Sequence, residues 1–220
     1  MSRRTGPLLA LVIAALLSGP AGAGPEHAPG AGRFTGSTIL MLPIRVEVSE
    51  TQPSGFALLK AEWTRDARQY VRGALDTVLA GHQPPLLDYQ APADPERRKR
   101  HAQVLLLQRL VQATIVMHRY TDAFELPTKP RFEWSLGPGA SVLGDGAPAQ
   151  YAMFLDLKEH RPSRHFVNIA GLANQYTGSV SIVDLATGDV RWFNHEKSGD
   201  LTTATSTLAT VKRLLRDQVF

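Results

Sequence analysis

The chain is predicted to be an α/β (α+β) protein, with a mixed, largely antiparallel sheet and amphipathic helices packed on it. Three observations predict this. A strand-like run at residues 38–48 precedes a helical stripe at residues 59–80. Two strand-like runs, 179–184 and 189–193, are joined by a short loop that ends in Gly188. A further amphipathic segment closes the chain.

In the first strand, residues 39–42 are continuously apolar, as in a strand covered on both faces. After Pro43 the pattern alternates, with Ile44, Val46 and Val48 on one face and Arg45 and Glu47 on the other. Pro43 cannot donate to a ladder, so it marks a bulge, an edge or the strand's end. The helix at 59–80 carries Trp63, Ala67, Tyr70, Val71, Ala74, Leu75, Val78 and Leu79 at spacings of three and four. Arg72 and Asp76, on its other side, are placed to pair. Gly81 and Pro84-Pro85 end it, and residues 86–89 suit a short strand.

Asp94-Pro95-Glu96 opens a second helix with a cap, a proline at its first position and an acid at its positive end. This helix runs to His118 and is apolar nearly all round in its second half. Gln108, Arg109 and Gln112 form its evident polar strip, so it is expected to be buried or to meet a partner. Residues 119–138 make a long connection in which Phe132, Trp134 and Leu136 alternate and suit another short strand. A short helix at 140–143 leads to a strand at 151–157. Residues 160–165 are polar and basic and suggest a loop, and 166–172 are ambiguous between strand and helix. In the hairpin, Gly188 supplies the positive-φ residue a tight loop needs. The last helix, 203–219, buries Leu208, Val211 and Leu215, with Lys212, Arg213 and Arg216 near its negative end.

The beginning of the chain predicts export. Arg3 and Arg4 precede an apolar run at 8–17, and Ala21-Gly22-Ala23 follows as a small-x-small cleavage site ahead of Gly24. A membrane span needs about 20 apolar residues; this run is half that, and no other stretch is long or apolar enough to span. Residues 1–23 are therefore expected to be a signal peptide, 24–37 a flexible lead-in, and 38–220 a single domain. The pair Arg3-Arg4 resembles a twin-arginine start, but the apolar residue expected soon after it is missing, which favours ordinary unfolded export. The expected destination is the periplasm.

Removing 23 of the 220 residues leaves 197, enough for one substantial core. Losing Arg3 and Arg4 leaves 22 basic against 20 acidic residues, too small an excess to point to nucleic acid. The chain has no cysteine, which excludes disulfides, thiol nucleophiles, thiolate metal sites and a lipid-modified cysteine.

In order along the chain stand Leu42-Pro43-Ile44, a helix, Gly144-Asp145-Gly146-Ala147 before a strand, then Val183-Asp184-Leu185-Ala186-Thr187-Gly188-Asp189-Val190-Arg191-Trp192 and a closing helix. This order resembles a family of bacterial envelope domains typified by the amino-terminal domain of TolB and the core of the curli secretion channel. The long helix from Asp94 has no counterpart in that pattern. The resemblance implies a mixed sheet with helices against it, and a role in docking and assembly rather than chemistry.

Candidate sites are few. Arg97, Arg98, Lys99 and Arg100 form a basic run that would suit an acidic partner surface or anionic lipid, or simply a solvated face. The seven histidines are scattered, with His160 and His165 in the expected loop and His195 after the hairpin, so no metal site is expected. Gly137, Gly139 and Gly144 lack the lysine and hydroxyl of a phosphate loop. Ser141 and Ser163 sit in no nucleophile elbow, while Asp184 and Asp189 suit turns. No catalytic residue, metal or cofactor is assigned. The expectation is a non-catalytic periplasmic envelope protein that contacts another envelope protein through its second helix, with peripheral membrane contact and no nucleic acid. A small-ligand carrier or sensor, with a pocket between that helix and the sheet, is the second reading, and an unrecognised hydrolase the third.

Overall fold

The computed structural model describes residues 25–28, 34–52, 54–121, 131–163 and 173–216. The first elements are β1 (Glu26–His27), β2 (Ile39–Met41), β3 (Arg45–Thr51), β4 (Ala57–Leu59), α1 (Ala61–Val78) and β5 (Leu87–Asp88). There follow α2 (Pro95–Arg119), a 3-10 helix (Pro138–Gly144), β6 (Tyr151–Pro162), β7 (Gln175–Asp184), β8 (Val190–Glu196) and α3 (Ala204–Leu215). The expected signal peptide and its cleavage residues Ala21, Ala23 and Gly24 lie outside the described residues, as do 166–172 and the end of the last helix.

All the strands join one sheet in the order β1, β8, β7, β6, β2, β5, with β3 also on β6 and β4 beyond β3. β6, β7 and β8 form an antiparallel meander, while β2 and β3 run parallel to β6. The mixed, largely antiparallel sheet expected from the sequence is present. Its centre is β6, 12 residues long, with β2 and β3 on one side and β7 on the other.

β2 and β3 are two halves of one strand separated by a bulge. Met41 is opposite Met153 but Arg45 is opposite Asp156, so four steps on one strand match three on the other. The extra residue lies at 42–44, where Pro43 has no N–H to offer a ladder. The bulge reverses the side-chain parity. Ile39 and Met41 point to the same core as Val46 and Val48, which an unbroken strand would turn the other way.

Helices cover both faces. On one, Ala67, Val71 and Leu75 of α1 and Val211, Leu214 and Leu215 of α3 pack on Val46, Val48, Leu155, Val180, Ile182 and Trp192. Thr64 ties α1 to β3, its hydroxyl accepting from the Val48 N–H at 3.0 Å and donating to the Val48 carbonyl at 3.3 Å. α3 starts at a capping box of Thr203 and Ser206, and Asn194 of β8 donates to the Leu214 carbonyl near its other end. On the opposite face, Leu40, Leu42, Ala152, Phe154, Val183 and Phe193 meet Ile115 of α2, Phe132, Leu136 and the 3-10 helix. Gly188 (φ 80°) also permits a close approach, since a Cβ there would lie 2.0 Å from the Gly137 carbonyl oxygen.

Three expectations are corrected. Within 24–37, the expected lead-in, Glu26–His27 is an edge strand on β8 and Phe34 is buried. His160 belongs to β6, which is carried past its apolar stretch by ladders to β3 and β7 on either side. His195 lies within β8 and is buried. Of the alternating run 132–136, only Ser135 forms a bridge, to Asp189.

Deleting Pro43 is expected to drive Val46 and Val48 out of the α1/α3 core and abolish the cooperative urea transition. Pro43→Ala, which keeps the residue count, is expected to stay within about 1 kcal/mol of wild type. Equilibrium urea unfolding followed by tryptophan fluorescence distinguishes the two, and wild-type stability in the deletion would refute the parity argument.

Candidate functional site

The helix α2 is built as its sequence suggests. Asp94 caps it, its carboxylate accepting from the Arg97 N–H at 2.7 Å, and Pro95 takes the first position. At the other end Arg119 forms an ion pair with Glu26 of β1 at 3.0 Å. Which side faces the sheet is the surprise. The buried residues of α2 are His101, Gln108, Gln112 and Ile115. Gln108 Nε2 donates to Gln112 Oε1 at 2.9 Å and to Ser181 Oγ of β7 at 3.2 Å. His101 Nδ1 lies 3.0 Å from the Tyr89 hydroxyl. Burial pushes the His101 imidazole down and the Tyr89 phenol up.

Three of the leucines face outward, while Leu105 packs on the core. Leu106, Leu107, Leu110 and Met117 are 56%, 40%, 61% and 42% exposed. Ile115, with Val104, Leu105, Val111 and Val116 partly buried beside it, still packs on the core, so α2 carries a second apolar row on the side where an ordinary surface helix is polar. Of the polar strip expected from the sequence, Gln108 and Gln112 point inward, and only Arg109 is exposed. The reason lies in the sheet surface beneath, which offers hydroxyls such as Ser181 that need hydrogen-bond partners once covered.

Beyond Ser181 that surface becomes strongly polar. Arg45 reaches Glu47 at 2.6 Å and Asp156 at 3.1 Å. Burial opposes the Glu47 charge, but Arg45 outweighs it and holds the carboxyl below the usual carboxylate range. Asp156 shifts the other way: burial pushes it up, and Arg45 offsets only part of that. Its Oδ1 is buried without a hydrogen-bond partner. Two Ser–His pairs share the sheet, Ser49 Oγ with His160 Nδ1 at 2.6 Å and Ser179 Oγ with His195 Nδ1 at 2.8 Å. Burial, with Lys197 adding to it, pushes the His195 imidazole down to about 4. A base that weak is badly matched to activating a serine near neutral pH, and the side-chain partners of His101, His160 and His195 are hydroxyls, not carboxylates. These pairs carried no sequence signal, because their members lie 111 and 16 residues apart.

Arg97, Arg98, Lys99 and Arg100 are all exposed on the first turns of α2, with Arg98 donating to the Ala93 carbonyl at 2.9 Å. No acidic side chain is paired with these four among the described residues. Among the described residues no three His, Asp or Glu side chains converge as a metal site would require. Asp184 serves the turn, accepting from the N–H groups of Ala186 and Thr187. A second apolar surface stands on the β4 edge, where Phe56, Leu58 and Leu59 are exposed. A groove of about 590 Å³ opens at the bulge, lined by Met41, Leu42, Pro43, Ile44, Arg68, Arg72, Asp88 and Tyr89. It lies against α1, not between α2 and the sheet. No helix among the described residues is long and apolar enough to cross a membrane.

No family model matches the chain, and no curated protein matches it. Among solved structures there is weak similarity to a point variant of the PelC dodecamer from Paraburkholderia phytofirmans. It is 13% identical with a TM-score of 0.38, covering 87% of this chain and 97% of that one. The LpoB C-terminal domain from Salmonella enterica is also 13% identical, with a TM-score of 0.29, covering 78% of this chain and 87% of that one. The same domain from Escherichia coli is 12% identical with a TM-score of 0.29, covering 78% and 89%. At those values neither fold nor role passes from them to this chain.

His195 makes the site acid-sensitive. Its folded pKa of about 4 lies below the ordinary histidine value of about 6.5. The unfolded chain therefore binds the proton first, so stability is full above about pH 6.5 and falls as pH drops towards 4. Urea unfolding at pH 7.5 and pH 4.5 is expected to show wild type losing up to about 3 kcal/mol more than His195→Gln. Equal losses would contradict a buried neutral imidazole.

Proposed function

We propose that this protein is a non-catalytic interaction module of the bacterial cell envelope, working in the periplasm, and that it engages another envelope protein through the outer face of α2. The outer apolar row of that helix carries the proposal. Its amides serve the sheet, while four large apolar side chains stand in water. Burying the exposed half of each would stabilise by roughly 1 kcal/mol, and contiguous apolar surface of this kind marks interaction sites. The resemblance of the motif order to the TolB-type envelope domains supports the same role, and the export pattern of residues 1–23 supports the compartment.

A small-ligand carrier is the second reading, and the groove at the Pro43 bulge favours it: its volume suits a ligand, and Arg68 and Arg72 line it. Its walls come from α1, β2 and β5, so a ligand there would leave α2 uncovered.

In-cell crosslinking of the tagged full chain, with mass spectrometry of the envelope fraction, tests the docking role. A reproducible protein adduct is expected, falling at least tenfold in Leu106→Asp/Leu110→Asp. An adduct pattern indifferent to that change, or a chain that is never crosslinked, would contradict it and direct attention to the bulge groove.

A further inference from the structure

The outward residues of α2 are not a random apolar scatter. Leu106, Leu110, Ala113 and Met117 are all exposed and follow one another at intervals of four, three and four. That is the a/d spacing of a two-helix seam, narrower than the stripe of a helix that packs on a sheet. It spans about 16 Å, or three turns. Continued towards the N-terminus, the same seam holds Gln103 and then Lys99, both exposed. The seam is therefore apolar at one end and polar at the other, the asymmetry by which paired helices fix their direction.

The charges around it have one sign. The exposed charged residues of α2 are Arg97, Arg98, Lys99, Arg100 and Arg109, against one acid, Glu96. Resting on the docking role proposed above, we infer that the occupant of this seam is an amphipathic helix of a partner protein, with leucine-like residues along its centre and acidic residues on its flanks. Lys99 and Arg100 meet the acids, and Leu106, Leu110 and Met117 meet the apolar centre. A second copy of this chain is disfavoured, since its α2 would bring the same excess of cations alongside. A lipid surface is disfavoured too: the exposed arc carries no aromatic residue, and Gln103 and Thr114 lie beside the leucines, unlike the broad apolar face of an interfacial helix. The seam is preorganised, because Gln108 and Arg119 fasten α2 to the sheet from behind, so a partner need not order it.

The test uses the full chain and two synthetic three-heptad peptides with leucine at the a and d positions, one with glutamate on its flanks and one with lysine. Fluorescence anisotropy is expected to show the glutamate peptide binding at least tenfold tighter, with affinity falling as salt rises. Lys99→Glu/Arg100→Glu is expected to reverse the preference, and Leu106→Asp/Leu110→Asp to abolish binding of both; circular dichroism confirms that each variant stays folded. Binding of neither peptide, or equal binding that ignores the charge reversal, would overturn the inference. So would self-association lost in Leu110→Asp, or binding to phosphatidylglycerol vesicles but not to the glutamate peptide. If the peptides fail while the in-cell adducts still depend on Leu106 and Leu110, the acidic helix falls and the docking role stands.

Discussion

A β-strand returns its side chains to the same face at every second residue, so one additional residue between Met41 and Arg45 changes the face of everything after it. In this protein Val46 and Val48 consequently join Ile39 and Met41 in the core under α1 and α3, while Arg45 and Glu47 emerge on the α2 side. Asp156, opposite Arg45 on β6, emerges there too. The α2 face of the sheet thus begins apolar at Leu40 and Leu42 and ends as an ion cluster. A helix crossing from one half to the other must offer apolar contact at one point and hydrogen bonds at another. Ile115 does the first and Gln108, braced by Gln112, the second.

The outward leucines follow from that assignment. With its amides on the inner side, the chemistry of α2 leaves Leu106, Leu110 and Met117 no position but the outer one. Buried hydrogen bonds are costly to leave unmade, about 1–3 kcal/mol for each orphaned group. Rotating the helix to hide the leucines would orphan Ser181 and expose both glutamines. The fold therefore holds an apolar seam in water with no rearrangement available to remove it, and such a seam favours association with whatever complements it.

Much of this was legible in the sequence where the signal was local. The alternation after Pro43, the stripe of α1, the Arg72–Asp76 pair at 3.0 Å, the Asp94 cap and the Gly188 turn are each decided by residues a few positions apart. What escaped was non-local. Periodicity shows that α2 has two sides but not which side meets the sheet, because that depends on strands more than 60 residues further along, such as Ser181 against Gln108. His160 looked like a loop residue because its neighbours are polar, although flanking ladders extend β6 through it. The Ser–His pairs exist only once the strands are aligned.

Because the chain has no cysteine, a single introduced thiol reports on one position without background. The decisive measurement compares maleimide labelling of Leu110→Cys in the purified protein and in intact envelopes, with Gln69→Cys on the exposed side of α1 as the reference. The account predicts that both thiols label at similar rates when purified and that in envelopes Leu110→Cys alone slows at least tenfold. Equal labelling of Leu110→Cys in both settings would mean that nothing covers the outer face of α2, and would contradict the account.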